Sequence, residues 1–168
     1  RLSKVFPTLD CASCITTPKM AAAAHHPNIT LLTYAELGSV ERRGEIFEAR
    51  VTRKPRYVDE EKCIGCRLCE YACDRELPDP YQGGFSALRA IHIPFGNAIP
   101  QVALIDREHC VLCGKCARVC PTDAIDFTQA PVALTIEART IIVATGWKLT
   151  PIDAKPQYGG GQLANVLS

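Results

Sequence analysis

The chain has 168 residues, ten of them cysteine, and a formal net charge of +1. This length suits one ordinary domain, or a compact domain with a smaller one inserted into it. A nucleic-acid-binding face normally carries a strong excess of Lys and Arg, so we do not expect nucleic acid as a partner. The longest apolar stretches, around 98–105 and 140–147, are far shorter than the roughly 20 residues that cross a bilayer, so no membrane span is expected.

The chain starts at Arg1 and has no apolar segment that could serve as a signal peptide, which favours a fragment of a longer chain. Its cysteines are clustered, and this arrangement favours metal ligation over a disulfide framework. We therefore expect a reducing compartment, with the cytoplasm as the default location.

The first elements in chain order predict an α/β unit. A cysteine-containing loop (Phe6–Cys14) is expected first, followed by a short helix opened by Pro18 (Lys19–His26). The apolar and β-branched run Asn28–Tyr34 then predicts a strand.

An antiparallel hairpin is predicted next, with Ser39–Arg43 and Glu45–Arg53 alternating around Gly44. Beyond the cysteine-rich middle, Val132–Glu137 predicts another strand. Thr140–Gly146 is β-branched and ends in Gly, which is typical of a central parallel strand.

The domain organisation predicted from these elements is an insertion. Residues 56–130 form a cysteine-rich middle, flanked by residues 1–55 and by residues 131–168, whose Pro- and Gly-rich tail is expected to be a loop. The predicted fold class is therefore α+β, with the middle domain inserted into part of an α/β domain.

The strongest signal is a repeated four-cysteine run. Both copies have the spacing C-x2-C-x2-C-x3-C, and the second is followed by Pro121. This is the pattern of bacterial two-cluster ferredoxins, in which three cysteines of one run bind a [4Fe-4S] cluster and the fourth binds the other cluster. The predicted ligands are Cys63, Cys66, Cys69 and Cys120 for cluster 1, and Cys73, Cys110, Cys113 and Cys116 for cluster 2.

Two zinc sites or a disulfide scaffold are the alternatives for these cysteines, and both are less compatible with a duplicated run. Six apolar neighbours are expected either to exclude water from the clusters or simply to pack in the core: Ile64, Leu68, Val111, Leu112, Val119 and Ile125. Asp74 stands where Pro would be expected after Cys73, and we predict that its charge lowers the potential of cluster 2. The segment of about 36 residues between the runs is longer than a minimal ferredoxin needs, and it is expected to face a partner or the host domain.

Several separated motifs outside the cysteine runs carry a family resemblance. They are, in order, Phe6–Cys11, Pro18–Met20, His26–Ile29, Leu31–Tyr34, Pro55–Glu60 and Ile93–Phe95. Together they resemble the A-type flavoprotein subunit of heterodisulfide reductases. That resemblance implies a thioredoxin-reductase-like FAD domain into which the two-cluster ferredoxin is inserted.

The resemblance also implies a flavin contact at Thr145 and Gly146, because a strand ending in Ala-Thr-Gly approaches FAD in such domains. Taken alone, the same three residues fit ordinary sheet core equally well. No G-x-G-x-x-G turn follows a strand in this chain, so we expect FAD binding to need residues upstream of Arg1.

A separate C-x-x-C, formed by Cys11 and Cys14, allows three interpretations: a redox disulfide, a pair of ligands for a further metal centre, or buried thiols, the last being favoured. Lys19, close to where the resemblance places the flavin, either interacts with it or is a solvated lysine, and the second is favoured.

The resulting functional prediction is an electron-transfer segment of an oxidoreductase subunit. Electrons would pass between FAD and partner subunits of a heterodisulfide reductase-like complex through two [4Fe-4S] clusters, with no catalytic residue in this segment. The alternatives are a free-standing ferredoxin-like carrier and a cluster-stabilised interaction module.

Overall fold

The computed structural model describes residues 4–5, 9–82, 84–146, 151 and 153–166. In chain order the elements are β1 (Lys4–Val5), β2 (Asp10–Cys11), α1 (Ala12–Ala24), β3 (Ala35–Arg43), β4 (Ile46–Arg53), α2 (Leu68–Ala72), β5 (Glu76–Pro78), β6 (Ala87–Arg89), β7 (Ile91–His92), β8 (Leu104–Ile105), α3 (Lys115–Val119) and β9 (Val132–Ala138), with 3-10 turns at Pro80–Gln82 and Pro156–Tyr158. In the part of the chain so described, no helix combines the length and the apolar character that spanning a membrane requires.

The main sheet is antiparallel, with β4 between β3 and β9. The predicted hairpin is confirmed, and Gly44 lies in its turn with a φ of +65°, a left-handed conformation that glycine adopts without steric cost. The strand predicted at Val132–Glu137 is confirmed as β9.

The cysteine-rich unit leaves and rejoins this sheet at neighbouring points. Arg53, at the end of β4, is paired directly with Val132, at the start of β9. The segment between them therefore begins and ends side by side, as an inserted unit must. The mixed helix and strand content agrees with the predicted α+β class, whereas insertion into an FAD domain and the domain boundaries stay predictions.

The predicted start of the first helix is wrong. α1 begins at Ala12, and Pro18 lies inside it. Proline is best tolerated in the first turn, which is why the sequence favoured a start there. The alanines 21–24 supply the strong helix propensity that accompanies the interior proline. The loop predicted at Phe6–Cys14 is also wrong for residues 10–14, which form β2 and the start of α1, and residues 6–8 lie outside the described residues.

Two predicted strands are also wrong. Asn28–Tyr34 has no regular structure, and strand pairing starts only at Ala35. Thr140–Gly146 is likewise irregular, and Ile142 is 88% exposed. A strand forms only where a neighbouring strand completes its hydrogen bonds, and among the described residues neither segment has one. The described parts of the tail consist of turns, as predicted.

The long segment between the cysteine runs contributes to the core and also contacts α1. Its strands β7 and β8 pair with each other and are buried. Asn97 donates a hydrogen bond from its side-chain amide to the hydroxyl of Thr17 on α1, at 2.7 Å. The segment thus faces the flanking residues, one of the two expectations for it.

Candidate metal centres

Two cavities each gather four cysteines from both runs. The first is lined by Cys63, Cys66, Cys69 and Cys120. The second is lined by Cys73, Cys110, Cys113 and Cys116. The structure therefore brings together the same sets of cysteines that the repeat spacing grouped.

The two cysteine loops repeat the same backbone conformation. The residue before the second cysteine has a positive φ in both copies, +69° at Gly65 and +56° at Leu112. The residue after the second cysteine also has a positive φ in both copies, +63° at Arg67 and +72° at Gly114. These left-handed turns curl each loop around its cavity and lead directly into α2 or α3.

An aspartate anchors each loop in the same way. The backbone N–H groups of Cys63 and Cys110 donate to the carbonyls of Asp59 and Asp106, both at 3.0 Å. Each aspartate also accepts, on its own side chain, a backbone N–H from two residues further on. The two halves are thus related by a local two-fold pseudosymmetry that includes the turns before the cysteines.

Buried residues that the sequence did not single out form the cavity walls. Val58, Ile93 and Ala103 line the first cavity, and Ile91 and Ile105 line the second; all five are at most 2% exposed. The signal that could have identified them is the apolar content of the segment between the runs.

The expectation that six neighbours of the cysteines exclude water is wrong for five of them. Ile64, Leu68, Val111, Leu112 and Val119 are exposed, and Ile125 alone of the six is partly buried. Ile64 and Val111 also line the first and the second cavity, and the fully buried part of each wall comes from residues distant in sequence.

Burial controls the ionisation of the deepest thiols. Burial raises the pKa of the Cys69 thiol to about 12, and it also raises the pKa of Cys116. At Cys120 burial acts in the same direction, but backbone N–H groups of Ala124 and Thr122 outweigh it and lower the pKa. The N–H of Ala124 lies 3.3 Å from the Cys120 sulfur. The site therefore favours thiolate where backbone donors reach sulfur, and elsewhere requires a cation to replace the proton.

Charged side chains at the rims differ between the cavities. Arg67 forms an ion pair with Glu70 at 2.9 Å beside the first cavity. At the second cavity Lys115 forms an ion pair with Asp74, and this contact lowers the pKa of Asp74 and raises that of Lys115. The carboxylate predicted to tune cluster 2 is therefore balanced by an ammonium group.

The cysteine pair at Cys11 and Cys14 is exposed, so the favoured interpretation as buried thiols is wrong. Cys11 is the N-cap of α1 and Cys14 lies in its first turn. Neither residue lines either cysteine cavity.

The residues predicted to contact FAD are exposed in this chain. Thr145 and Gly146 lie in the irregular segment after β9, and apart from the chain neighbours of Gly146 no described residue has an atom within 4 Å of the point that a Cβ on Gly146 would occupy. The described residues thus form no cradle for a flavin at this point. Lys19 is exposed on α1.

The chemistry of the two donor sets fits iron-sulfur clusters. Each cavity offers four sulfur donors and apolar walls, and no His, Asp or Glu lines either of them. Thiolate-only donor sets are the usual ligands of [4Fe-4S] clusters. Within the described residues no group of three or more His, Cys, Asp or Glu side chains converges to hold a single metal ion.

Comparison with known proteins defines the class. Residues 56–76 and 103–126 match the family model of a 4Fe-4S binding domain. These ranges contain all eight cysteines of the two runs, and the chain therefore carries two 4Fe-4S binding motifs of ferredoxin type.

The wider chain is similar to the A-type subunit of heterodisulfide reductases, so the predicted family resemblance is confirmed. It is 44% identical over 168 residues to the A-type subunit of the ferredoxin:CoB-CoM heterodisulfide reductase of Methanosarcina mazei, covering 99% of this chain and 21% of that protein. It is 42% identical to the A-type iron-sulfur subunit of the CoB-CoM heterodisulfide reductase of Methanocaldococcus jannaschii, and 42% identical to the A-type subunit of the H2:CoB-CoM heterodisulfide,ferredoxin reductase of Methanothermobacter marburgensis; each match covers 100% of this chain and 26% of the relative. The chain thus spans about a quarter of the length of these oxidoreductase subunits.

Proposed function

We propose that this chain is the electron-transfer segment of an oxidoreductase subunit similar to the A-type subunit of heterodisulfide reductases. The proposal assigns Cys63, Cys66, Cys69 and Cys120 to one [4Fe-4S] cluster, and Cys73, Cys110, Cys113 and Cys116 to the other. The observation that carries it is the gathering of these two sets around two cavities.

The chain's own residues hold the clusters and control their surroundings. A bound [4Fe-4S] cluster supplies one-electron transfer. The cysteine thiolates would hold the iron, and N–H groups such as that of Leu112, 3.4 Å from the Cys110 sulfur, stabilise charge on sulfur. The buried wall residues of each cavity, such as Ile93 in the first and Ile105 in the second, exclude water from that side of the site, which keeps the dielectric constant low there.

Each cavity has one exposed edge at which a partner could exchange electrons. Cys66 and Cys113, the second cysteine of each run, are exposed, and so are their neighbours Ile64 and Val111. These edges would face the partner subunits of a heterodisulfide reductase-like complex.

Binding of FAD by the whole protein is part of the proposal, through the family resemblance. The contacts at Thr145 and Gly146 stay a prediction, because their segment is exposed here and the flavin would need residues beyond this chain. A cytoplasmic location likewise stays a prediction.

A free-standing carrier is less compatible with the flanks. The two strands that the sequence predicted at Asn28–Tyr34 and Thr140–Gly146 are absent from the described residues, so they no longer argue against such a carrier. The three-stranded sheet argues against a free-standing carrier, because a two-cluster ferredoxin needs no such sheet. The similarity to the reductase subunits, which extends over both flanks, argues against it as well.

The test is a count of iron, acid-labile sulfide and flavin on the full-length protein purified without oxygen, with electron paramagnetic resonance after dithionite reduction. Two single variants, Cys69→Ser and Cys116→Ser, each remove a ligand of one cluster and so isolate the signal of the other. We expect loss of about four irons from each variant. Zinc in place of iron, or an unchanged iron content in both variants, would contradict the proposal.

A further inference from the structure

The cysteine pair at the start of α1 has no part in the electron-transfer proposal. Cys11 is the N-cap of the helix, and Cys14 is its third residue. Both thiols are exposed, and no disulfide joins them. In this chain both thiols are accessible to a reaction partner.

Helical spacing brings the two sulfurs together. Side chains three residues apart on a helix have Cβ atoms about 5–6 Å apart, slightly farther than the roughly 3.5–4.5 Å between the Cβ atoms of a disulfide. The Cys14 thiol already contacts the Cys11 sulfur closely enough to lower the pKa of Cys11. A disulfide between Cys11 and Cys14 would therefore need side-chain rotation and a small backbone shift at Cys11, the N-cap, whose conformation is extended and not helical.

The two thiols have different electrostatic surroundings. The backbone N–H of Cys14 is the main cause of the lowered pKa of Cys11, followed by the Cys14 thiol and the backbone N–H of Ser13. Cys11 makes no capping hydrogen bond of standard geometry, but its position at the N-cap brings its sulfur near these backbone donors. The pKa of Cys14 is raised, because its thiol donates to Cys11 and lies near the negative charge that forms there.

We propose that Cys11 and Cys14 form a redox-active dithiol that exchanges with an accessible disulfide. In this exchange Cys11 is the attacking thiolate and Cys14 is the resolving thiol. The Cys11 sulfur attacks one sulfur of a disulfide R–S–S–R′, which forms a mixed disulfide and releases R′S⁻. The Cys14 thiol gives up its proton and attacks the Cys11 sulfur, which closes the Cys11–Cys14 disulfide and releases RS⁻. Two thiols are oxidised to one disulfide, and one disulfide is reduced to two thiols.

Ligation of a metal by this pair is the competing outcome. In the described part of the chain no third His, Cys, Asp or Glu is placed to complete a site with Cys11 and Cys14. Metal ligation would need further ligands from another part of the full protein, whereas thiol-disulfide exchange needs only the two residues that the structure brings together.

The test uses the full-length protein, purified without oxygen and with its iron bound. It is equilibrated in glutathione buffers of graded potential, quenched in acid, alkylated with a mass tag and analysed by peptide mass spectrometry. We expect a Cys11–Cys14 disulfide that forms and disappears reversibly, and alkylation of Cys11 several-fold faster than that of Cys14 near neutral pH.

Serine variants distinguish the roles of the two thiols. Cys14→Ser should accumulate a glutathione mixed disulfide at Cys11, whereas Cys11→Ser should form no intramolecular disulfide and react slowly. Lys19→Ala, an exposed position on the same helix, is the matched control and should behave as the parent protein. The iron content should stay the same in all of them.

Two outcomes would overturn the proposal. In one, both thiols resist alkylation until metal is removed, and the Cys11→Ser variant loses iron or zinc. In the other, both thiols are alkylated at similar rates and form no disulfide at any potential. Neither outcome changes the expected result for the eight cysteines of the two runs.

Discussion

Asp74 illustrates how a single residue depends on its neighbour. The sequence predicted that its carboxylate lowers the potential of cluster 2, but the structure pairs it with Lys115. The pseudosymmetric positions at the first cavity are Pro121 and Leu68, so an ion pair in one half replaces two apolar residues in the other. Because the two charges are close together, we expect their effects on cluster 2 largely to cancel.

A double-mutant cycle tests this cancellation. Asp74→Asn leaves Lys115 unpaired and should raise the potential of cluster 2, whereas Lys115→Met leaves Asp74 unpaired and should lower it. Each shift should be on the order of tens of millivolts and decrease with added salt, because both side chains are exposed. Redox titration monitored by paramagnetic resonance gives the two potentials.

The double variant tests whether Lys115 offsets the charge of Asp74. If it does, Asp74→Asn combined with Lys115→Met should return the potential close to that of the parent protein. The exposed pair Lys54–Glu36 on the sheet provides the control, because Lys54→Met should leave both potentials unchanged. A double variant as strongly shifted as Asp74→Asn alone would restore the original prediction.

Substitutions at two glycines of the cysteine loops allow the cost of backbone strain to be distinguished from the cost of a steric conflict. Both have a left-handed φ, +69° at Gly65 and +72° at Gly114. A Cβ on Gly65 would lie 2.8 Å from the carbonyl oxygen of Gln101, whereas the nearest atom at Gly114 is the end of the Arg118 side chain at 3.9 Å.

Alanine substitutions should therefore have unequal costs. Gly114→Ala should cost about 1 kcal/mol through the left-handed conformation alone, and Gly65→Ala should cost more because backbone must move. The measurement is the rate of iron release in guanidinium under anaerobic conditions, followed by visible absorbance. Equal rates for the two variants would show that the backbone at Gln101 moves away from the added Cβ at little energetic cost.

At the scale of elements, Arg56 joins the irregular segment before β3 to the start of the cysteine-rich unit. Its side chain is 7% exposed and forms an ion pair with Glu60 at 2.7 Å. It also donates to the hydroxyl of Thr33 at 2.7 Å and lies over the ring of Tyr34, 5.3 Å from its centre. One guanidinium thus supplies the contacts that hold a segment without strand pairing.

Replacing this arginine should loosen the segment. Arg56→Met keeps most of the side-chain volume but removes both polar contacts, and it should cost about 1–3 kcal/mol. Hydrogen exchange and limited proteolysis should show lost protection around residues 28–34. Arg53→Met, an exposed arginine three residues earlier, is the matched control. Unchanged protection in Arg56→Met would show that other contacts hold the segment.

At the scale of the whole molecule, burial is concentrated in the cysteine-rich unit. All buried apolar residues of the described chain lie between Val58 and Ala124. The sheet, by contrast, leaves Leu37 and Val132 exposed. The core that surrounds the two cavities is therefore the part of this chain whose stability depends on what fills them.

Removal of iron should unfold this unit. The thiolates of each set would be held together by the cluster that they bind, and because such a site does not exist in the unfolded chain, the free energy of cluster binding contributes to folding. Hydrogen exchange of the protein before and after chelation should show loss of amide protection from residue 58 to 124. Retained protection in the iron-free protein would mean that the core is stable without its clusters.

The sequence by itself determined the features that depend on spacing along the chain. The two cysteine runs and their grouping, the hairpin at Gly44 and the strand β9 all follow from residues close together in sequence, since short loops and alternating patterns restrict the backbone locally. The family resemblance, which rests on ordered motifs, was equally accessible.

Only the tertiary structure decided the features that depend on distant neighbours. It showed that Asn28–Tyr34 and Thr140–Gly146 lack a pairing strand among the described residues, that the segment between the runs covers the cavities, that Lys115 balances Asp74, and that the thiols of Cys11 and Cys14 are exposed. The physical reason is the same in each case: burial, strand pairing and charge balance are properties of contacts between segments, and no local pattern contains the partner.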